Sequence, residues 1–315
     1  MATSGVYNFN MTRDQIISAA LRKVGQLDPE GQAATATQIS NCSETLNAMI
    51  YGWNGAGPTI WQRKIGVVFL NSAQAIYTLG SNNAVGGDHA SLTHAFTTLT
   101  AAASGTSLTV ASITGISNGD NIGIQLTNGT LYWTTVNGTP SGSTISLSVG
   151  LTSGASVGAA VFAYTTKLAR PIRVVDGYIR QTAGNDTPIR ILSIEEYNRF
   201  GMKTSPGNTT QVLYQPLVGS GQLSLYPVPN NVAVRLFIEM HYPFQGFNSG
   251  GDTGDFSQEW MQAIIWGLAL ELGIEYGVTE SRLSLIGGMS TKWFDMANAT
   301  SQENSTFFQP DPMGG

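Results

Sequence analysis

The side chains able to do chemistry are few and widely spaced. Three histidines occur, and His89 and His94 lie five residues apart in a stretch that reads as loop and strand. That spacing does not place two imidazoles on one helix face, as a helical metal site requires. Packing or surface roles are expected instead, with His241 at a strand end beside Tyr242. Cys42, the single cysteine, sits on an apolar stripe and reads as a small buried hydrophobe. Glu195 with Glu196, and Asp252 with Asp255, invite comparison with the paired carboxylates of glycan hydrolysis. Adjacent glutamates on a helical turn point to different faces, however, and the two aspartates suit a loop ahead of a helix, whose dipole favours them. Tyr132 and Trp133 offer faces for a sugar ring, although a buried core tryptophan is the favoured reading. No Gly-x-Ser-x-Gly elbow, Walker-type loop or His-Glu-x-x-His is present. The expectation is a protein that is not an enzyme and has no metal and no cofactor.

Charge narrows the reading further. Hydrophobic residues make up 42% of the 315 and charged residues only 11%, less than half the usual share, so Ser, Thr, Asn, Gln and Gly must meet the water. Between Lys64 and Lys167 there is no Lys or Arg, and the acids are Asp88 and Asp120, so this zone cannot grip phosphates. A basic band follows, with Lys167, Arg170, Arg173, Arg180, Arg190, Arg199 and Lys203. Its arginines Arg170, Arg173, Arg180 and Arg190 are candidates for contact with a neighbouring subunit's acids or with DNA phosphates, the intersubunit role being favoured. After Glu239, nine acids face only Arg282 and Lys292. One cysteine permits no intrachain disulfide, and neither a signal sequence nor a membrane span is expected.

Elements must position these residues. Thr12 with Gln15 reads as a capping box for a helix carrying Ile16, Ile17, Ala20, Leu21 and Val24 and stopped by Gly25. Thr35 with Gln38 repeats the signature ahead of a stripe from Ile39 to Trp53. Extended runs follow at Trp61 to Leu70 and Ile76 to Leu79, and the composition changes abruptly at Gly80. From about Ser91 to Tyr164 short runs alternate in period two around turns at Asn118-Gly119, Asn128-Gly129 and Asn137-Gly138. More strands are expected at Ile172 to Val175, Ile189 to Leu192, Val212 to Gln215, Leu223 to Tyr226 and Val234 to Met240. Ser257 is expected to cap a third helix bearing Trp260, Ile264, Ile265, Leu268 and Leu272, and a fourth starts near Glu280, weakened by Gly287 and Gly288. The resulting fold class is α+β: a helical bundle body with β-strands, and an inserted all-β domain of sandwich or barrel type. Domain boundaries are expected at 1–85 and 167–300 for the body, 86–166 for the insertion, and 301–315 for a flexible tail.

The order of these elements resembles the head-to-tail connector or adaptor proteins of short-tailed bacteriophages, the packaged-DNA stabilisation or tail accessory group. Thr12-Arg-Asp-Gln-Ile-Ile-Ser-Ala-Ala-Leu-Arg-Lys-Val-Gly25, Leu46-Asn47-Ala48-Met49-Ile50-x-x-Trp53 and Arg170-Pro171-x-Arg173-Val174 carry it in the first part. Pro188-Ile189-x-x-Leu192-Ser193-x-x-Glu196-Tyr197, Leu225-Tyr226-Pro227-x-Pro229 and Asp255-Phe256-x-x-Glu259-Trp260 carry it in the second. The resemblance covers both ends of the chain but not the insertion, and none of its segments is a chemical signature. It implies a dodecameric ring in the neck of the virion, assembled in the host bacterial cytoplasm, with portal protein above and tail nozzle or tube protein below. Double-stranded DNA would pass through the lumen without sequence-specific contacts; from charge alone, an acidic or mixed lining suits such passage, and the acidic carboxy-terminal helices are expected to face the lumen. The tail residues Phe307, Phe308, Gln309 and Pro310 would dock on the portal. The insertion is left with several roles: a platform for tail fibres or spikes, a brace against the capsid, or the binding module of a virion adhesin or carbohydrate-binding tail protein.

Overall fold

A computed structural model of the chain describes residues 9–56, 62–80 and 88–299. These divide into two compact units, one from Met1–Gln62 with Pro243–Gly315 and one from Arg63–Tyr242.

The first unit is helical. Helix α1 (Arg13–Val24) opens on Thr12, whose hydroxyl accepts from the Gln15 N–H while Gln15 caps the Thr12 N–H in return, and Gly25 closes it at φ 85°. Helix α2 (Ala36–Ala56) opens on the same reciprocal pair, Thr35 with Gln38. Ser257 makes no side-chain cap hydrogen bond. A short 3-10 turn at Gln258–Trp260 intervenes, and the third long helix runs over Met261–Glu275. That helix buries Met261, Ala263, Ile264, Ile265, Leu268, Ala269 and Leu272, and the last helix covers Glu280–Ala299. Apolar residues distributed all round the Met261–Glu275 helix require neighbours on several sides. Cys42, Leu46 and Ile50 from α2, Ile16, Ile17 and Leu21 from α1, and Ile286 and Ala297 from the last helix supply them.

The second unit is built of strands, and its architecture corrects the expectation of a helical bundle body. The described residues hold seventeen strands in five sheets, and helix accounts for 27%. Segments read from sequence as additions to a helical body close into two sheets with a core of their own. One sheet contains β1 (Arg63–Phe69), β3 (Ala90–Ser91), β10 (Arg173–Arg180), β11 (Asp186–Pro188) and β17 (Arg235–His241), in the order β11-β10-β17-β1-β3. The other contains β2 (Ile76–Leu79), β12 (Arg190–Leu192), β14 (Gln211–Pro216) and β15 (Gly221–Tyr226), in the order β12-β14-β15-β2. Val68, Leu70, Tyr77, Leu79, Val212, Leu223, Leu225, Leu236 and Ile238 form one cluster that draws on both sheets. A five-residue helix, Ile194–Asn198, begins on the Ser193–Glu196 capping box. The pair β13 (Pro206–Gly207) and β16 (Val228–Pro229) completes this part.

The uncharged stretch forms strands β4 (Ala95–Thr98), β6 (Asn121–Gln125), β7 (Leu131–Thr135) and β9 (Ala160–Tyr164) in the order β4-β9-β6-β7, beside a pair of β5 (Ser107–Thr109) and β8 (Thr144–Ser146). Leu108, Val110, Ile122, Ile124, Val136, Ile145, Val161 and Ala163 are its core. Side chains alternate faces along a strand, and here the alternation sorts residues between two cores. In β9, Val161 and Ala163 enter this core while Ala160, Phe162 and Tyr164 join Val67, Phe69 and Phe237 in a separate aromatic cluster. In β1, Val67 and Phe69 face that cluster while Val68 belongs to the core of the two larger sheets. The near-continuous apolar runs at 66–69 and 160–164 are therefore strand segments buried on both faces.

Candidate functional site

The four arginines of the basic band lie at separate places on the second unit, and each has a partner there. Arg180 reaches Asp186 through two parallel N–H···O contacts, both 2.7 Å, the fork geometry that guanidinium and carboxylate favour. That bond holds the Asp186 carboxyl below its ordinary value and raises Arg180. Arg190 pairs with Glu196, which also caps the helix that follows Ser193. Arg173 donates to His241 Nε2 at 3.2 Å, and Arg170 donates to the Leu217 carbonyl at 2.7 Å. The tail residues Phe307, Phe308, Gln309 and Pro310 lie outside the described residues.

The carboxylate pairs serve the backbone. Asp252 accepts from the N–H groups of Asn248 and Ser249 at 2.8 and 2.6 Å, which holds its carboxyl below the usual range. Asp255 accepts from the Gln245 N–H at 3.3 Å. Glu196 is engaged by Ser193 and Arg190, and Glu195 is exposed on the same turn. Among the described residues no group of three or more His, Cys, Asp or Glu side chains is placed to hold a metal ion.

Both histidines of the second unit's first half belong to the aromatic cluster. His89 stacks on Trp133 with ring centroids 3.7 Å apart and shares a 2.6 Å hydrogen bond with the Tyr164 hydroxyl. One face of Trp133 is thereby occupied, and the ring also lies against Gly123, where an added Cβ would come within 2.7 Å of it. His94 Nε2 lies 3.2 Å from an Arg235 guanidinium nitrogen. Because guanidinium only donates, Nε2 is the acceptor and the proton sits on Nδ1. Arg235 in turn lies over the Phe96 ring at 4.2 Å. Burial pushes His89 down to about 3, with Lys167 adding to the shift, and His94 down to about 4, with Arg235 and Arg180 adding to it. Two neutral imidazoles thus act as flat, hydrogen-bonding fillers where the uncharged strands meet the five-stranded sheet. Spacing along the sequence did not bring them together with Trp133, Tyr164 and Arg235; the sheet registers do.

Two further features were missed in the sequence, and they lie at opposite ends of one hairpin. Between β14 and β15 the turn carries Leu217, Val218, Gly219 and Ser220, with the Leu217 N–H donating to the Ser220 carbonyl at 2.9 Å and Gly219 at φ 82°. Val218 is fully exposed (105%) and Leu217 is 47% exposed. The available signal was Leu-Val-Gly at a hairpin tip, where Asn-Gly or Asp-Gly is the common choice. At the other end lies a cavity of about 190 Å³. Buried Leu70, Ile179, Pro229 and Val234 form its base, and Thr187, Asn208, Thr210, Asn230 and Asn231, all exposed, form its rim.

No protein-family model matches the chain, and no curated protein is significantly similar to it.

Proposed function

We propose that the chain is a ring-forming head-to-tail adaptor of a short-tailed bacteriophage. It binds the portal protein on one side and the tail nozzle on the other, retains packaged DNA, and forms part of the channel by which DNA leaves. The observation that carries this reading is the ordered series of segments at both ends of the chain, from the Thr12 capping box to Asp255-Phe256-x-x-Glu259-Trp260. Several of their residues are architectural: Thr12 caps α1, Leu46 and Ile50 are buried, Ser193 and Glu196 form a capping box, and Phe256 and Trp260 are core. A family defined by assembly rather than by catalysis shares residues of this kind. The reading is also supported by a surface short of charge that leaves Tyr51, Ile274, Leu285 and Met296 of the first unit, and Ile65, Val175 and Val218 of the second, open to solvent. Such side chains suit burial against other subunits. The excess of acid after Glu239 suits a channel that lets phosphates pass instead of holding them.

Mass photometry of the purified chain, alone and mixed with the portal of the phage that encodes it, tests the proposal. The expected result is a portal complex heavier by a ring of this chain. A chain that stays monomeric and never joins the portal would overturn it.

A further inference from the structure

A ring whose subunits are all alike needs two different surfaces on each copy, one to give and one to receive. The β14–β15 hairpin carries such a pair. Its turn projects two aliphatic side chains at the Leu217–Val218 tip, and that tip is braced before any partner arrives: Leu217 is hydrogen-bonded to Ser220 across the turn, and Arg170 holds the Leu217 carbonyl. A protrusion already ordered loses little conformational freedom on docking. The cavity at the far end is open, with an apolar base and a rim of amides and hydroxyls.

Size and chemistry match. About 190 Å³ holds roughly six water-sized groups, and the isopropyl of Val218 with the isobutyl of Leu217 comprises seven carbons. Asn208, Asn230 and Asn231 on the rim can donate to and accept from the exposed backbone of a turn. No ionisable residue lies in the tip from Pro216 to Gly221 or in the cavity lining, and the Arg170 guanidinium beside the tip is already engaged by the Leu217 carbonyl. Six-residue strands separate tip and cavity by about 20 Å, which prevents a copy from filling its own cavity. We propose that the Leu217–Val218 tip of one copy seats in the Asn208–Asn230–Asn231 cavity of the next. The contact is heterologous: every copy in a chain of contacts gives one tip and receives one. Closure into a ring rests on the adaptor reading; the contact itself needs only two copies of this chain.

The test uses the full chain carrying Val218→Cys and Thr210→Cys together, with each single variant as control. Cys42 is fully buried and does not compete. Under mild oxidation the double variant should give a ladder of disulfide-linked species, with mass spectrometry finding position 218 of one chain joined to position 210 of another. An intrachain bond is excluded by distance, because disulfides need Cα atoms within about 7 Å. In sedimentation runs with and without portal, Val218→Asp and Thr210→Trp should each weaken self-association at least tenfold. Self-association unchanged in both variants, or linkages only between two 218 positions, would overturn the contact while portal binding kept the adaptor reading alive. A chain that self-associates through this contact but ignores the portal would overturn the adaptor reading alone. A chain monomeric in every run would overturn both.

Discussion

His94 shows how a single side chain takes its character from its surroundings. Alone it would titrate near 6.5; buried beside Arg235 and Arg180 it is held neutral down to about 4. A histidine depressed in the folded state stabilises fully above 6.5, and its contribution is lost as pH falls from 6.5 through about 4, because the unfolded chain takes up the proton first. For His94 the loss is roughly 2 to 3 kcal/mol, and His89, at about 3, acts in the same direction. Thermal unfolding between pH 7 and pH 4 should therefore fall less steeply in His94→Gln, whose amide oxygen can still accept from Arg235; an unchanged slope would contradict this account. Gly80 illustrates a steric constraint. Its φ is 63°, and a Cβ there would lie 1.9 Å from the Arg170 backbone nitrogen. Gly80→Ala should lower stability by about 3 kcal/mol or more in denaturant titration, since backbone on both sides has to move.

Elements respond according to what they bury. The Met261–Glu275 helix supplies fully buried Leu268 to the core of the first unit. Leu268→Ala should cost about 2 to 5 kcal/mol, the range for cavity-forming truncations, read as a lower denaturation midpoint. The final helix behaves differently at Gly288, where an added Cβ meets nothing within 4 Å. Gly288→Ala should raise stability by about 0.5 to 1 kcal/mol through helix propensity; a loss would mean that this face is covered in the assembled protein. The helix ends were legible in sequence wherever the signal was a local hydrogen bond, as at Thr12–Gln15, Thr35–Gln38 and Gly25. They were not legible at Ser257, where packing of Trp260 in the core accompanies a 3-10 turn before the helix proper and leaves the hydroxyl out of the cap.

For the whole molecule, the distribution of charge sets how copies should meet. Arg180 and Arg190 each hold an acid of their own chain, so self-association should not depend on them. Raising salt from about 50 to 500 mM shortens the reach of charge severalfold, yet the association constant measured by sedimentation should change by less than about threefold. A steep fall would place the arginine band at the subunit interface. Local signals in the sequence determined the paired capping boxes at Thr12–Gln15 and Thr35–Gln38 and the Asn-Gly turns of the uncharged strand region. Each depends on residues within a few positions of one another. Only the tertiary structure decided that the strands outweigh the helices, because β1, β17 and β10 become neighbours through pairings between segments far apart in the chain, such as Val67 opposite Phe237. Packing between segments remote in the chain likewise brings His89 onto Trp133 and sets Leu70, Ile179 and Val234 beside Thr210 in one cavity. Period-two patterning tells which face a residue takes, but it carries no record of which strand lies beside it.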